Sequence, residues 1–259
     1  MTITLIGAGN VGYHLGRRLH KKGWTIRQVF SRKLANAELL ATKVGAHAID
    51  DLMALDAQSD WYIISVSDDA IGQVAQQLSK IYGMQDKLVV HTSGAASTRL
   101  IAKYFKRAGV FYPLQTFSKN RKVKFRNIPI CVYVKRQSDE KILLKIAKTI
   151  SKTASAVTDA DRAVLHVAAV FVNNFSNHLF HIGQTITEKE AVTFDLLKPL
   201  IQETVLKIED QTPLAMQTGP ARRNDTQTLK KHEAYLQKFP DFAQLYNLLT
   251  KSIQDAYRR

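Results

Sequence analysis

Six residues near the start of the chain combine small size with a spacing suited to phosphate binding. Gly7-Ala8-Gly9-Asn10-Val11-Gly12 follows a short apolar segment at residues 3–6 and precedes a helical pattern. In such a turn the first glycine permits a tight bend, the second admits a pyrophosphate, and the third lets the helix pack on the strand. The free N–H groups at the start of the helix favour an anion. The sequence therefore predicts a dinucleotide at these six residues.

The end of the second predicted strand, at residues 26–30, indicates which dinucleotide is bound. An NAD site places an acidic residue there to accept hydrogen bonds from the ribose 2′-hydroxyl. This sequence has Ser31-Arg32-Lys33 instead, and a guanidinium with a hydroxyl suits a 2′-phosphate. A solvated basic loop is the alternative interpretation. We expect NADP rather than NAD, with Ser31, Arg32 and a later strand-end residue, Ser67, among its contacts.

Polar residues at a further strand end and on a long predicted helix could carry chemistry. Ser93 and Gly94 follow the strand at residues 87–91, where Ser93 could bind a substrate carboxylate or a carboxamide and Gly94 could give it room. An ordinary turn with a helix cap is the alternative. On the helix predicted at residues 160–186, His166 and Asn174 lie on adjacent stripes, and histidine is a natural proton donor near neutral pH. Polar groups that bond to each other in the core, or across a dimer, are the alternative.

A third group precedes a later helix. Arg223 follows another arginine and suits the anionic end of a substrate, while Asp225 is a good N-cap and a candidate substrate contact. A helix-start loop with exposed arginines explains the same residues equally well. His178 and His181 have no carboxylate spaced to complete a metal site, so no metal is expected.

Composition limits the class of protein. The chain has 259 residues, 45% of them hydrophobic, and a formal net charge of +15. Because Cys131 is the only cysteine, no internal disulfide can form, and the cytoplasm is the expected location. No run of eighteen apolar residues occurs, and Met1-Thr2 leads straight into a predicted strand, so neither a membrane span nor a signal peptide is expected. The basic residues are spread along the chain, and residues 119–124 are interpreted as a solvated loop, so nucleic acid is not the expected partner. We expect instead that the positive charge attracts an anionic coenzyme and substrate.

The order of elements predicts an α/β fold. Strands and helices alternate through residues 1–157, which predicts a doubly wound, Rossmann-type parallel sheet that binds dinucleotides. Residues 158–259 are predicted to form an all-helical domain. Local signals predict a helix over residues 97–107, an acidic N-cap for the helix that follows Ser67, and Asp195 as the N-cap of the helix at residues 195–210.

Five motifs together resemble a known family. They are the glycine turn, His-Thr-Ser-Gly-Ala from His91, Tyr-Pro-Leu-Gln-Thr-Phe from Tyr112, His-x-Ala-Ala-x-Phe-x-x-Asn from His166, and Thr-Gly-Pro-x-x-Arg-x-Asp from Thr218. The chain resembles bacterial Rossmann-like oxidoreductases whose helical C-terminal domain has no assigned function. These are distant relatives of pyrroline-5-carboxylate reductase and of the β-hydroxyacid and 6-phosphogluconate dehydrogenases.

The resemblance implies NADP-linked redox chemistry in the interdomain cleft. It also implies a 6-phosphogluconate dehydrogenase C-terminal-like helical domain that forms a homodimer. The β-hydroxyacid relatives have a catalytic lysine four residues before an asparagine; Asn174 matches the asparagine, but Val170 occupies the lysine position. His166, one turn earlier, is then the nearby group able to move a proton.

The resulting hypothesis is an NADP-dependent oxidoreductase that transfers a hydride between the nicotinamide and a small, anionic carbonyl or imine substrate. His166, Asn174 and Ser93 would be catalytic, and Gly94, Arg223 and Asp225 would bind the substrate. A non-catalytic NADP-binding sensor or regulatory protein is the alternative.

Overall fold

A computed structural model describes residues 1–258, and within that range eight strands form a single sheet. The spatial order is β3-β2-β1-β4-β5-β6-β7-β8, which is the order of a doubly wound sheet extended at one edge. The strands are β1 (Thr2–Ile6), β2 (Thr25–Phe30), β3 (His47–Ile49), β4 (Trp61–Ile64), β5 (Leu88–His91), β6 (Arg107–Pro113), β7 (Ile130–Val134) and β8 (Ala154–Ala156).

Helices cover both faces of this sheet, so the predicted α/β class is confirmed. They are α1 (Asn10–Lys21), α2 (Leu34–Val44), α3 (Asp68–Leu78), α4 (Arg99–Ala102), α5 (Gln137–Ile150) and α6 (Asp159–Ala169). One hydrophobic cluster joins the sheet to α1, α2 and α5, and a second joins it to α3 and α4. Every residue of β4 and β5 is buried, as expected for strands that are covered on both faces.

The sheet is mostly parallel, and it contains one antiparallel pair that the sequence did not predict. β7 runs antiparallel to β6, while the other neighbouring pairs are parallel. The segment from Leu114 to Pro129 contains only the short 3₁₀ turn Phe125–Asn127. A parallel return needs a crossover, which is usually a helix, and this segment reverses direction without one.

Three local predictions are wrong. The helix predicted over residues 97–107 is only α4, because Phe105 enters the core and Arg107 joins β6, where its guanidinium pairs with the buried Asp139 at 2.6 Å. The N-cap of α3 is Ser67, and the acidic residues lie in its first turn. Thr193, rather than Asp195, caps the 3₁₀ turn Phe194–Leu197 that leads into the next helix.

The described chain divides into two compact units, Met1–Asn173 and the residues from Asn174 onward. The sequence places the division after residue 157. Asp159 and Arg162 of α6 bond to the segment after β5, which keeps this helix with the first unit.

The second unit is helical over residues 174–258. It contains α7 (Ser176–Lys189), α8 (Lys198–Asp210), α9 (Pro213–Met216), α10 (Pro220–Arg223), α11 (Thr226–Leu236) and α12 (Pro240–Tyr257). α6 continues into α7 through a π-helical segment, Val170–Phe175, so the single regular helix predicted over residues 160–186 is interrupted. Because a π turn holds more residues than an α turn, the stripes worked out at 100° per residue do not continue past Val170. Among the helices of residues 1–258, none has the length and apolar character needed to cross a membrane.

Candidate active site

A cavity of about 1180 Å³ opens in the first unit, where the carboxyl ends of the parallel strands meet. In a doubly wound sheet this edge is where ligands bind. The cavity brings together many residues that the sequence predicted for coenzyme and substrate: Gly7, Ala8, Gly9, Asn10, Val11, Ser31, Arg32, Ser67, Ser93, Gly94 and His166.

The glycine turn between β1 and α1 fits a pyrophosphate. Gly7 has φ +108°, and a Cβ there would lie 2.2 Å from the Ser65 carbonyl oxygen. A Cβ at Gly12 would lie 2.1 Å from the Gly7 carbonyl oxygen, so these two glycines are required by the fold. A Cβ at Gly9 would meet no described atom within 4 Å. Since packing does not require Gly9, its lack of a side chain leaves the space beside the first N–H groups of α1 open for a ligand.

The end of β2 forms a basic wall of the same cavity. Ser31, Arg32 and Lys33 line it together with Asn36 from the first turn of α2. Ser31 is half-buried, while Arg32 and Lys33 are exposed. Neither cation is paired with a carboxylate of residues 1–258. This wall can therefore hold a phosphate group without first losing an ion pair.

Gly94 joins the other end of the cavity to the helix that carries His166. A Cβ at Gly94 would lie 2.6 Å from Nδ1 of His166 and 2.8 Å from the hydroxyl oxygen of Tyr112. Glycine at this position therefore lets an imidazole and a phenol approach the same point. His166 Nδ1 is shielded from solvent and has no hydrogen-bond partner among the described residues. Burial raises the pKa of Tyr112, so this phenol stays protonated at neutral pH.

Ser93 precedes Gly94, and its hydroxyl oxygen already accepts two hydrogen bonds. Its Oγ accepts hydrogen bonds from the backbone N–H groups of Ala95 at 3.1 Å and Ala96 at 2.9 Å. The hydroxyl thus forms the turn that the alternative interpretation described, and its hydrogen remains available to donate. Ser93 can serve as a hydrogen-bond donor to a ligand in the cavity.

An ion pair in the first turn of α6 holds the Gly94 segment in place. The fully buried Arg162 donates through Nε to the Gly94 carbonyl oxygen at 3.2 Å, through Nη2 to the Ala96 carbonyl oxygen, and through Nη1 to Asp159 at 2.8 Å. Asp159 also accepts hydrogen bonds from Ser97 and Thr98. Burial opposes ionisation of Asp159, but these hydrogen bonds outweigh it and lower its pKa to about 2.

His91 at the end of β5 is a buried neutral histidine. Its Nδ1 accepts a hydrogen bond from the Ser93 backbone N–H at 3.2 Å, so Nε2 carries the proton. Nε2 is buried without a hydrogen-bond partner in the described part of the chain. Burial and, secondarily, the nearby Arg162 charge lower the pKa of His91 to about 4.

The remaining candidate residues lie in the second unit. Asn174 is exposed in the π-helical segment, and Arg223 is exposed at the end of α10. Asp225 caps α11 by accepting hydrogen bonds from the backbone N–H and the hydroxyl of Thr228, as the sequence predicted. The substrate and catalytic roles assigned to these three residues stay predictions.

Sequence reasoning missed Tyr112 and Arg162. The signal for Tyr112 was available, because it stands at the carboxyl end of a predicted strand beside Pro113. Arg162 had no such signal: one arginine in a helical stretch is typical of a solvated face, and only the fold shows its buried partners.

Comparison with known proteins identifies the family. A family model described as NADP oxidoreductase, coenzyme F420-dependent, matches residues 2–94, and one described as a domain of unknown function, DUF2520, matches residues 128–253. An NADP oxidoreductase candidate from Bacteroides fragilis is 37% identical, over 98% of this chain and 98% of that one, with a TM-score of 0.92. The chain belongs to this family of NADP oxidoreductases. The resemblance drawn from the motifs is thereby confirmed.

More distant structures share the fold of this NADP oxidoreductase family. An imine reductase from Myxococcus stipitatus in complex with NADP⁺ is 17% identical over 100% of this chain and 94% of that chain, with a TM-score of 0.72. A pyrroline-5-carboxylate reductase from Coxiella burnetii is 16% identical over 99% and 97%, with a TM-score of 0.58. No curated protein matches the sequence. The family indicates an NADP-dependent oxidoreductase, and these distant structures show the same fold.

Proposed function

We propose that this protein reduces a small carbonyl or imine compound with NADPH, or catalyses the reverse oxidation. The observation that carries the proposal is one cavity that contains a dinucleotide turn at one end and the His166, Tyr112 and Ser93 side chains at the other. When bound, the dihydronicotinamide supplies a hydride to the electrophilic carbon of the substrate. The imine reductase in complex with NADP⁺ and the pyrroline-5-carboxylate reductase support a C=N or C=O substrate.

The coenzyme we propose is NADP rather than NAD. The N–H groups at the start of α1 would bind the pyrophosphate above Gly9, and Arg32 with Ser31 would bind the 2′-phosphate. Ser67, the N-cap of α3, lines the cavity and would contact the coenzyme between these ends. An acidic residue that would favour the NAD ribose is missing from this strand end.

His166 would deliver the proton that the reduction requires. Its Nδ1 edge is shielded against Gly94, so Nε2 is the nitrogen that a substrate in the cavity can reach. As the hydride reaches carbon, the π bond to oxygen or nitrogen breaks, and that atom takes a proton from Nε2. The hydroxyls of Ser93 and Tyr112 would donate hydrogen bonds that orient the substrate. Asn174 and Arg223 stay in the proposal as further substrate contacts.

The proposed reaction can be tested with a panel of carbonyl and imine substrates, following the absorbance of NADPH. His166→Ala should lower turnover of any substrate found by about a hundredfold or more, because general acid catalysis is lost. His47→Gln, at an exposed position of the edge strand β3, is the matched control and should keep wild-type turnover. An unchanged rate in His166→Ala would refute the acid role. Tight NADPH binding without turnover of any substrate would favour the non-catalytic sensor.

The second unit is proposed to form a homodimer. α7, α8 and α12 contain no buried residue within residues 174–258. Leu196, Leu200 and Leu248 are 70%, 63% and 68% exposed, and such large apolar surfaces are rare on monomers. A second copy offers the same apolar surface and would bury both. Light scattering after gel filtration should give twice the chain mass of 29.2 kDa, and a mass of one chain at micromolar concentration would contradict the dimer.

A further inference from the structure

We propose that Lys119 binds the 2′-phosphate of NADP and so helps the protein to distinguish NADP from NAD. This inference rests on the proposed coenzyme site. Lys119 lies in the loop between β6 and β7, in the basic run that the sequence analysis interpreted as solvated. The structure holds this part of the loop against the coenzyme-binding helices instead.

The segment that carries Lys119 is fixed to α1. The Phe117 ring is buried and stacks on His14, with ring centroids 5.5 Å apart. His14 Nε2 also hydrogen-bonds with the Ser118 carbonyl oxygen at 2.9 Å, which requires a protonated Nε2. Phe117 and Ser118 thus both contact His14, which fixes the backbone of the loop directly before Lys119. The position of Lys119 is therefore set by the fold of this loop.

Lys119 then contacts one residue of the glycine turn and one residue of α2. Its backbone N–H donates to Oδ1 of Asn10, in the glycine turn, at 3.3 Å. Its Nζ donates to Oδ1 of Asn36 at 3.1 Å. Asn10 and Asn36 both line the cavity, and Asn36 stands in the first turn of α2, the helix that begins directly after Arg32 and Lys33. The ammonium group is thus held at the wall that we assign to the 2′-phosphate.

The charges around Asn36 suit a dianion. Arg32, Lys33 and Lys119 form no ion pair with any carboxylate of the described chain. Lys119 is half-buried, and its ammonium group donates to the neutral amide of Asn36 and lies 6.0 Å from the centroid of the Tyr13 ring, rather than pairing with an acid. A phosphate monoester carries about −1.5 to −2 charge at pH 7 and accepts several charge-assisted hydrogen bonds. An ammonium group that rests on an amide can turn to such a ligand without breaking a salt bridge.

The experiment measures dissociation constants by calorimetry for NADPH, NADH and the fragment adenosine 2′,5′-bisphosphate. The variants are Lys119→Gln, which removes the charge, and Lys119→Arg, which keeps it. Lys122→Gln is the matched control, because Lys122 is an exposed cation in the same loop. Lys119→Gln should weaken NADPH and the bisphosphate about tenfold and leave NADH unchanged, since one charge-assisted hydrogen bond is lost. Lys119→Arg should retain most of the affinity, and Lys122→Gln should bind like the wild type.

The outcomes separate this inference from the proposed function. An equal loss for NADPH and NADH would assign Lys119 to the pyrophosphate and overturn the 2′-phosphate role. Wild-type affinity in Lys119→Gln would also overturn it. If the wild-type protein binds neither coenzyme, the proposed function itself fails. Retained NADH binding in Lys119→Gln shows that the variant is folded, so a selective loss of NADPH affinity supports the inference.

Discussion

Replacing Gly94 with alanine tests the geometry of the site at its tightest point. The new Cβ would stand 2.6 Å from His166 Nδ1 and 2.7 Å from the Tyr112 ring, whereas ordinary contact begins at about 3.4 Å. Its backbone φ is not in the left-handed range, so the effect would come from the added methyl group. Both rings must therefore move by nearly 1 Å, or the segment that carries residue 94 must shift by as much. A displacement of that size in a catalytic group costs up to about a hundredfold in rate.

We expect Gly94→Ala to lower kcat/KM about 10- to 100-fold, while NADPH affinity at the glycine turn is retained. Overpacking should also lower the free energy of unfolding by about 1–3 kcal/mol. Gly72→Ala is the control: its Cβ would first meet a Leu100 methyl group at 3.9 Å, and alanine favours the α3 helix. The assay is steady-state turnover of a substrate from the panel, with urea unfolding of each variant. Wild-type turnover in Gly94→Ala would refute the argument that His166 and Tyr112 meet at this point.

Two further predictions concern stability. In the folded protein the pKa of His91 is about 4, whereas in the unfolded chain the imidazole takes up a proton below about pH 6.5. The free energy of unfolding should therefore fall by about 3 kcal/mol between pH 6.5 and pH 4. His91→Asn should remove that part of the decline, as measured by urea unfolding at each pH. The same pH profile in wild type and variant would contradict the assignment. Asp159→Asn should lower the free energy of unfolding by about 3 kcal/mol at pH 7, because it leaves the buried Arg162 charge without its carboxylate. Asp161 is exposed in the same turn, so the control Asp161→Asn should lower it by less than about 1 kcal/mol. Since the Asp159 pKa lies near 2, its contribution should persist down to about pH 4 and disappear as the pH falls further. Equal unfolding midpoints for Asp159→Asn and Asp161→Asn would contradict the stabilising role of the Arg162–Asp159 ion pair.

The coenzyme end of the site could be predicted because its signals are local. Gly7 and Gly12 are required by the geometry of one turn, Gly9 leaves its outer side open, and the cavity lies beside that turn. The strand-end positions of Ser31 and Ser93 follow from the rule that parallel strands present their carboxyl ends at one edge. These inferences need no knowledge of which distant residues touch.

The features that could not be predicted depend on tertiary contacts. Arg107 leaves a predicted helix for β6 because the buried Asp139 draws its guanidinium to the sheet. Arg162 is buried because Asp159 and two backbone carbonyls surround it. Lys119 reaches Asn10 and Asn36 because Phe117, two positions earlier, packs on His14 of α1. Propensity and spacing carry no information about such pairs.

Calorimetric titration with NADPH and NADH tests the central claim most directly. The wild-type protein should bind NADPH at least about tenfold more tightly than NADH, because Arg32 adds a charge-assisted contact to the 2′-phosphate. Arg32→Asp should abolish that preference and leave NADH binding in place, since the glycine turn is untouched. Equal affinity of the wild-type protein for both coenzymes would contradict the 2′-phosphate assignment, and no heat with either would contradict the whole account.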